Sequence, residues 1–109
     1  MNFSEYQDKA KETALYPEIG KRFVYPALGL VNEAGEVAGK IKKVFRDDGS
    51  VLTEKKRDEL AYELGDVLWY VSALATELGL SLDDIAGKNI EKLVLRKKRG
   101  TISGDGDYR

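Results

Sequence analysis

Residues 60–78 read LAYELGDVLWYVSALATEL, and the spacing of their apolar positions decides the fold. Leu60, Leu64, Val67, Val71, Leu74 and Leu78 recur every three or four residues, the rhythm of one buried helical stripe. Gly79 follows as a natural stop. Upstream, Leu30, Ala34, Val37, Ile41 and Val44 keep the same rhythm and predict a second long helix. The two segments nearly coincide at an offset of 30 residues: LVNEAGEV at 30–37 stands over LAYELGDV at 60–67. Leucine, glutamate, glycine, acid and valine recur in register.

Outward from these helices, Ser4 and Gln7 have the spacing of a capping box and predict a first helix from about residue 4 to Leu15. Pro17, Gly20 and Pro26 punctuate the following loop, and Pro26 suits the first turn of the next helix. RDDGSVLT at 46–53 separates the two long helices and offers Thr53 as an N-cap. Ser81 and Asp84 predict a further helix start, running to about Arg99. No strand pattern exceeds a few residues. The expectation is an all-α four-helix bundle over residues 1–99, followed by an extended glycine-rich tail at 100–109. Four short helices bury little surface alone, so an oligomer is expected.

The composition narrows the function. Eighteen basic against nineteen acidic residues leave no basic excess for a nucleic-acid polymer or a membrane surface. No apolar run approaches the roughly 20 residues of a membrane span. MNFSEYQDK lacks a signal-peptide core, and the chain has no cysteine, so a cytoplasmic protein is expected. The absence of histidine removes His-based acid–base catalysis and most zinc sites. Chemistry must then come from carboxylates, Lys, Arg, Tyr or a hard metal ion.

The register supplies such a site. Glu33 and Glu36 on one helix, and Glu63 and Asp66 on the other, are acid pairs three residues apart and therefore neighbours on the helix surface. Each pair borders the apolar stripe, so packing the stripes should line four carboxylates along one seam. Their repulsion is relieved by a hard divalent cation; Mg²⁺ prefers carboxylate and water oxygens and keeps positions for phosphate. An EF-hand does not fit, because placing Gly49 at its loop glycine puts Val44 and Arg46 at oxygen-ligand positions. Gly35 and Gly65 fall on another side of their helices and would admit a further helix, from this chain or a partner. Trp69 is read as core or subunit interface, pointing away from the acid seam.

The order E-x-x-E, spacer, E-x-x-D, set in GLVNEAGEVAGKIKKV (29–44) and ELGDVLWYVSALATELGL (63–80) and followed by NIEKLVLRKKRG (89–100), resembles the MazG-type nucleoside triphosphate pyrophosphohydrolases of the all-α NTP pyrophosphatase superfamily. TALYP (13–17) and SGDGDYR (103–109) are similar to a single-domain, phage-and-bacterial branch. The resemblance implies a tight dimer or dimer of dimers. It also implies Mg²⁺, with Mn²⁺ able to substitute, held by Glu33, Glu36, Glu63 and Asp66. The implied reaction is attack of a metal-activated water on the α-phosphorus of a (deoxy)nucleoside triphosphate, yielding monophosphate and pyrophosphate. Glu36 or Glu63 would orient or deprotonate the water, and the sequence does not choose between them. Lys40, one turn past Glu36, and Tyr70, one turn past Asp66, are candidate substrate contacts. So are Asn89, Lys92 and Arg96 on the last helix, and Arg109, which with Tyr108 would close the tail over bound nucleotide or over a neighbouring subunit's site. The rival expectations are a phosphoribosyl-ATP pyrophosphatase and a non-catalytic helical oligomerisation module.

Overall fold

The computed structural model describes residues 1–109 as four helices without a strand: α1 Phe3–Lys11, α2 Val24–Asp47, α3 Glu54–Glu77 and α4 Leu82–Arg99. Three boundaries follow the local chemistry read from the sequence. Thr53 Oγ1 accepts from the Lys56 N–H at 3.2 Å, and Ser81 Oγ accepts from the Asp84 N–H at 3.3 Å. After α3, Gly79 takes φ +70°, and the Leu80 N–H returns to the Ala75 carbonyl at 2.8 Å, closing a Schellman turn.

The first helix departs from expectation. Its N-cap is Asn2, whose Oδ1 accepts from the Glu5 N–H at 2.9 Å, so the Ser4–Gln7 capping box does not form. It ends at Lys11 rather than Leu15, where Thr13 Oγ1 turns back onto the Ala10 carbonyl at 3.0 Å and competes with the helix ladder. Gln7 is instead a buried tie between elements. Its Nε2 donates to Thr76 Oγ1 at 3.1 Å and to the Leu80 carbonyl at 2.9 Å, while Oε1 accepts from the Leu82 N–H at 2.9 Å. One amide thus fixes α1 to the α3–α4 corner, with its hydrogen-bonding capacity largely used.

The two long helices pack against each other, and α1 and α4 pack on α3 and on one another; α2 touches neither α1 nor α4. A single chain therefore does not close into a four-helix bundle. Its radius of gyration is 16.8 Å, against about 13 Å for a compact domain of this length. Only nine of 109 residues are buried. Of the two apolar stripes, Val44 alone is among them, while Leu64 and Leu78 stay more than half exposed. The buried positions of α3 are small residues, Ser72, Ala73 and Ala75, and α1 meets α3 there.

Gly35 and Gly65 do not mark a close helix crossing within the chain, since a Cβ added at either meets nothing within 4 Å. The tight crossing is at Gly29, where an added Cβ would lie 2.2 Å from Tyr70 Cε1. Residues 100–109 are not extended either. The Arg109 guanidinium donates to the carbonyls of Thr101, Ile102 and Gly106, and Arg99 Nη2 donates to the Arg109 carbonyl at 2.8 Å. The segment is folded back on the end of α4.

The loop between α1 and α2 is held by Glu77 at the end of α3. Glu77 accepts from the Tyr16 hydroxyl at 2.5 Å and from Arg22 Nε at 3.0 Å, and Arg22 also pairs with Glu18. Burial and then Glu77 push the Tyr16 hydroxyl up to about 12, while the Tyr16 and Arg22 hydrogen bonds hold the Glu77 carboxyl below the usual glutamate range. A depressed carboxyl stabilises the fold above its unfolded pKa, and that contribution is lost as pH falls through the folded value. Glu77→Gln should therefore lower the Tm by about 5 °C at pH 7. It should also flatten the fall of Tm on acidification below about pH 5, where an unfolded glutamate begins to take up protons. Thermal melts of both proteins across pH 3–7 check this.

Candidate active site

The packing of α2 on α3 brings three of the four expected acids together. Oxygens of Glu33 from α2 and of Glu63 and Asp66 from α3 lie within 4.8 Å of one another. Glu36 does not join them; it is exposed on α2 and makes no ion pair. Burial first, then the charges of Asp66, Glu63 and Glu36, push the Glu33 carboxyl above the usual glutamate range. Only the smaller, charge-driven part of the shift reflects the expected crowding.

Beside the trio is an open cleft of about 350 Å³, lined by Thr13, Glu33, Asp66, Trp69 and Tyr70. Trp69 thus faces the acid site, not away from it. The spacing already contains the reason: Trp69 is three residues past Asp66, hence its neighbour on the helix. Its indole Nε1 donates to Thr13 Oγ1 at 2.9 Å, and its ring meets Tyr70 edge-on at 5.0 Å. Tyr16 meets Trp69 edge-on at 6.2 Å and stacks on Tyr25 at 5.3 Å, which ties the α1–α2 loop to one wall of the cleft. Burial, then Tyr25, Glu33 and Asp66, raise the Tyr70 hydroxyl above the usual tyrosine range.

The chain matches the MazG nucleotide pyrophosphohydrolase domain over residues 26–101, a span that contains all four acids, Trp69 and Tyr70. It belongs to the MazG family. It is also 46% identical over 114 aligned residues to the Gene 37 protein of Mycobacterium phage L5, with all of both chains covered. No solved structure matches the chain at a significant level.

In this MazG chain the remaining candidates separate into those near the acids and those elsewhere. Lys40 Nζ lies 3.8 Å from Glu63 Oε1 and 3.6 Å from Glu59 Oε2, so it neutralises part of the seam. Glu59 was not singled out by sequence. It is four residues before Glu63, and Lys56 pairs with it at 3.6 Å; that spacing is the signal that could have revealed the network. Burial raises Glu59, but Lys56, Lys40 and Lys55 outweigh it and hold the carboxyl below the usual range.

None of the α4 candidates lines the acid cleft. Asn89 is exposed and Lys92 half-buried, and neither makes a side-chain hydrogen bond or ion pair. Arg96 is buried, at 4% exposure. Its Nη2 donates to the Asp107 carbonyl at 2.7 Å and more weakly to that of Gly106, and its Nε has no partner. Arg109 is likewise engaged with carbonyls of its own segment, while the Tyr108 ring is fully exposed.

The donor set fits a hard divalent cation. Every available ligand atom is a carboxylate oxygen, the preference of Mg²⁺ and Mn²⁺, and a cation between them relieves the repulsion recorded at Glu33. Glu33, Glu63 and Asp66 are the residues that would hold it. Millimolar Mg²⁺ or Mn²⁺ is then expected to raise the Tm by mass action on the folded state, and Asp66→Asn to remove most of that rise. Because its pKa is raised, Glu33 keeps its proton to higher pH than an ordinary glutamate. That proton competes with the cation, so the rise should fade as pH falls through the shifted value. Without metal the same shift favours the fold below the usual glutamate range, a contribution lost as pH rises through the folded pKa. Scanning fluorimetry at several pH values, with and without metal, reads both effects.

Proposed function

We propose that this MazG chain hydrolyses (deoxy)nucleoside triphosphates to nucleoside monophosphate and pyrophosphate, with Mg²⁺ or Mn²⁺ at the three converging carboxylates. The observation that carries this reading is the convergence of Glu33, Glu63 and Asp66 beside an open cleft walled by Trp69 and Tyr70. A divalent cation bound there supplies charge neutralisation for the triphosphate and acidifies water, which a chain without histidine requires. In the reaction a water oxygen adds to the α-phosphorus, the bond to the bridging oxygen breaks, and pyrophosphate leaves.

The protein's own groups divide the remaining work. Glu33, Glu63 and Asp66 bind the metal, and Lys40 orients Glu63 through their ion pair. Tyr70 donates its hydroxyl to the sugar or phosphate in the cleft. Glu36 takes the proton of the attacking water: it adjoins the trio, bears on the charge of Glu33, and is held by no ion pair.

The working unit is a homodimer or homotetramer. The expanded chain and its exposed apolar residues on α2 and α4, among them Val31, Phe45, Ile90 and Val94, support that assembly. A second α2–α3 pair would complete the bundle that one chain leaves open. Light scattering on the eluting protein should give a multiple of the 12.2 kDa chain mass.

A panel of ribo- and deoxynucleoside triphosphates, assayed for pyrophosphate with Mg²⁺, tests the activity. Glu63→Gln should reduce kcat by at least about 100-fold while leaving the helical circular dichroism unchanged. Activity within a few-fold of the parent would overturn the site assignment. Preferential cleavage of phosphoribosyl-ATP would change the substrate, and no release from any of these would leave an oligomerisation module.

A further inference from the structure

Tyr70 borders a second hollow besides the acid cleft. It measures about 230 Å³ and is lined by Ile19, Tyr25, Leu28, Gly29, Asn32 and Tyr70. Tyr70 is common to both hollows and forms the wall between them. No charged side chain lines the second one, so it does not suit a phosphate. Its surface is aromatic and aliphatic apart from the Asn32 amide, which makes no hydrogen bond within the protein.

We infer that this hollow is a nucleobase subsite in which the Asn32 amide pairs with the base edge. The inference rests on the function proposed above and names the part of the substrate that this face of the cleft takes. Asn32 and Glu33 are successive residues, with Cα atoms about 3.8 Å apart and side chains leaving the helix about 100° apart. One lines the neutral hollow and the other the acid cleft. A ligand that meets both must place a neutral, hydrogen-bonding group very close to its phosphates. A base joined through one sugar to its α-phosphate has that reach.

The walls suit the base as well. A nucleobase is flat and uncharged, and stacking on tyrosine tolerates any base identity. An asparagine amide presents a donor beside an acceptor, the complement of a base edge that does the same, and it can turn over to serve the reverse order. Gly29 sets the position of the tyrosine wall, because any side chain there would strike the Tyr70 ring. The larger hollow of about 420 Å³ beside α1 is the weaker alternative. Its asparagine, Asn2, is already committed to capping α1, and it carries the charge of Asp83.

The test measures binding, so that it stands apart from turnover. The α,β-imido triphosphates of deoxycytidine and deoxyuridine differ at the base by an amino donor against a carbonyl acceptor, and resist cleavage at the α–β link. Calorimetry with the full chain and Mg²⁺ should show Asn32→Ala binding both at least about tenfold more weakly than the parent. Asn32→Asp, which at neutral pH can only accept, should shift the cytosine-to-uracil affinity ratio by about tenfold in favour of cytosine. Mn²⁺ affinity without nucleotide should match the parent in Asn32→Ala, and the helical circular dichroism should match it in both variants, showing that fold and acid site are intact. Analogue affinities within twofold of the parent in Asn32→Ala, equal weakening of both bases in Asn32→Asp, or no binding by the parent chain would each overturn the subsite. If the analogues bind in the Asn32-dependent way while natural triphosphates release no pyrophosphate, the hydrolase reading falls and the subsite stands.

Discussion

Repulsion between carboxylates on two facing helices is the constraint to which the rest of this structure answers. Glu33 must meet Glu63 and Asp66 across the α2–α3 contact, and their oxygens lie within 4.8 Å of one another. Such an arrangement persists only if the helices are held together by something other than the acids. Two devices supply that. Gly29 lets the Tyr70 ring settle directly on the α2 backbone, and Lys40 reaches across to Glu59 and Glu63. The first fixes the separation of the helices; the second offsets part of the charge.

Much of this was legible in the sequence, and the failures have physical causes. The two long helices and the acid register could be read because the period of the apolar residues and the spacing of the acids are local quantities. The caps at Thr53 and Ser81 were legible for the same reason. At the start of α1 the cap lies two residues earlier than expected, at Asn2, which accepts from the Glu5 N–H. Gln7 carried no sign of being buried, because its partners are about 70 residues away at Thr76, Leu80 and Leu82.

The site was legible in its acids but less so in its surroundings. Trp69 was placed on the wrong side although it is three residues from Asp66. Gly29 drew no notice beside Gly35 and Gly65, since nothing in a sequence says which glycine will meet a ring. On α4 the charge pattern is visible in the sequence and the burial of Arg96 is not. Arg96 is enclosed by the segment that follows it, and its charge is met by carbonyl dipoles instead of an anion. The apolar stripes, by contrast, were read correctly as apolar and yet lie half-exposed, because α2 packs on α3 alone and neither α1 nor α4 covers it.

The folded-back segment after α4 has a consequence of another kind. Arg96, Arg99 and Arg109 grip it entirely by main-chain oxygens, on Thr101, Ile102, Gly106, Asp107 and Arg109. A clasp that reads backbone is indifferent to the side chains it encloses. Positions such as Ser103 and Tyr108 are therefore free to drift in evolution while the shape of the segment is kept. They are equally open to the experimenter, and Tyr108, whose ring is fully exposed, is a natural place to attach a fluorophore.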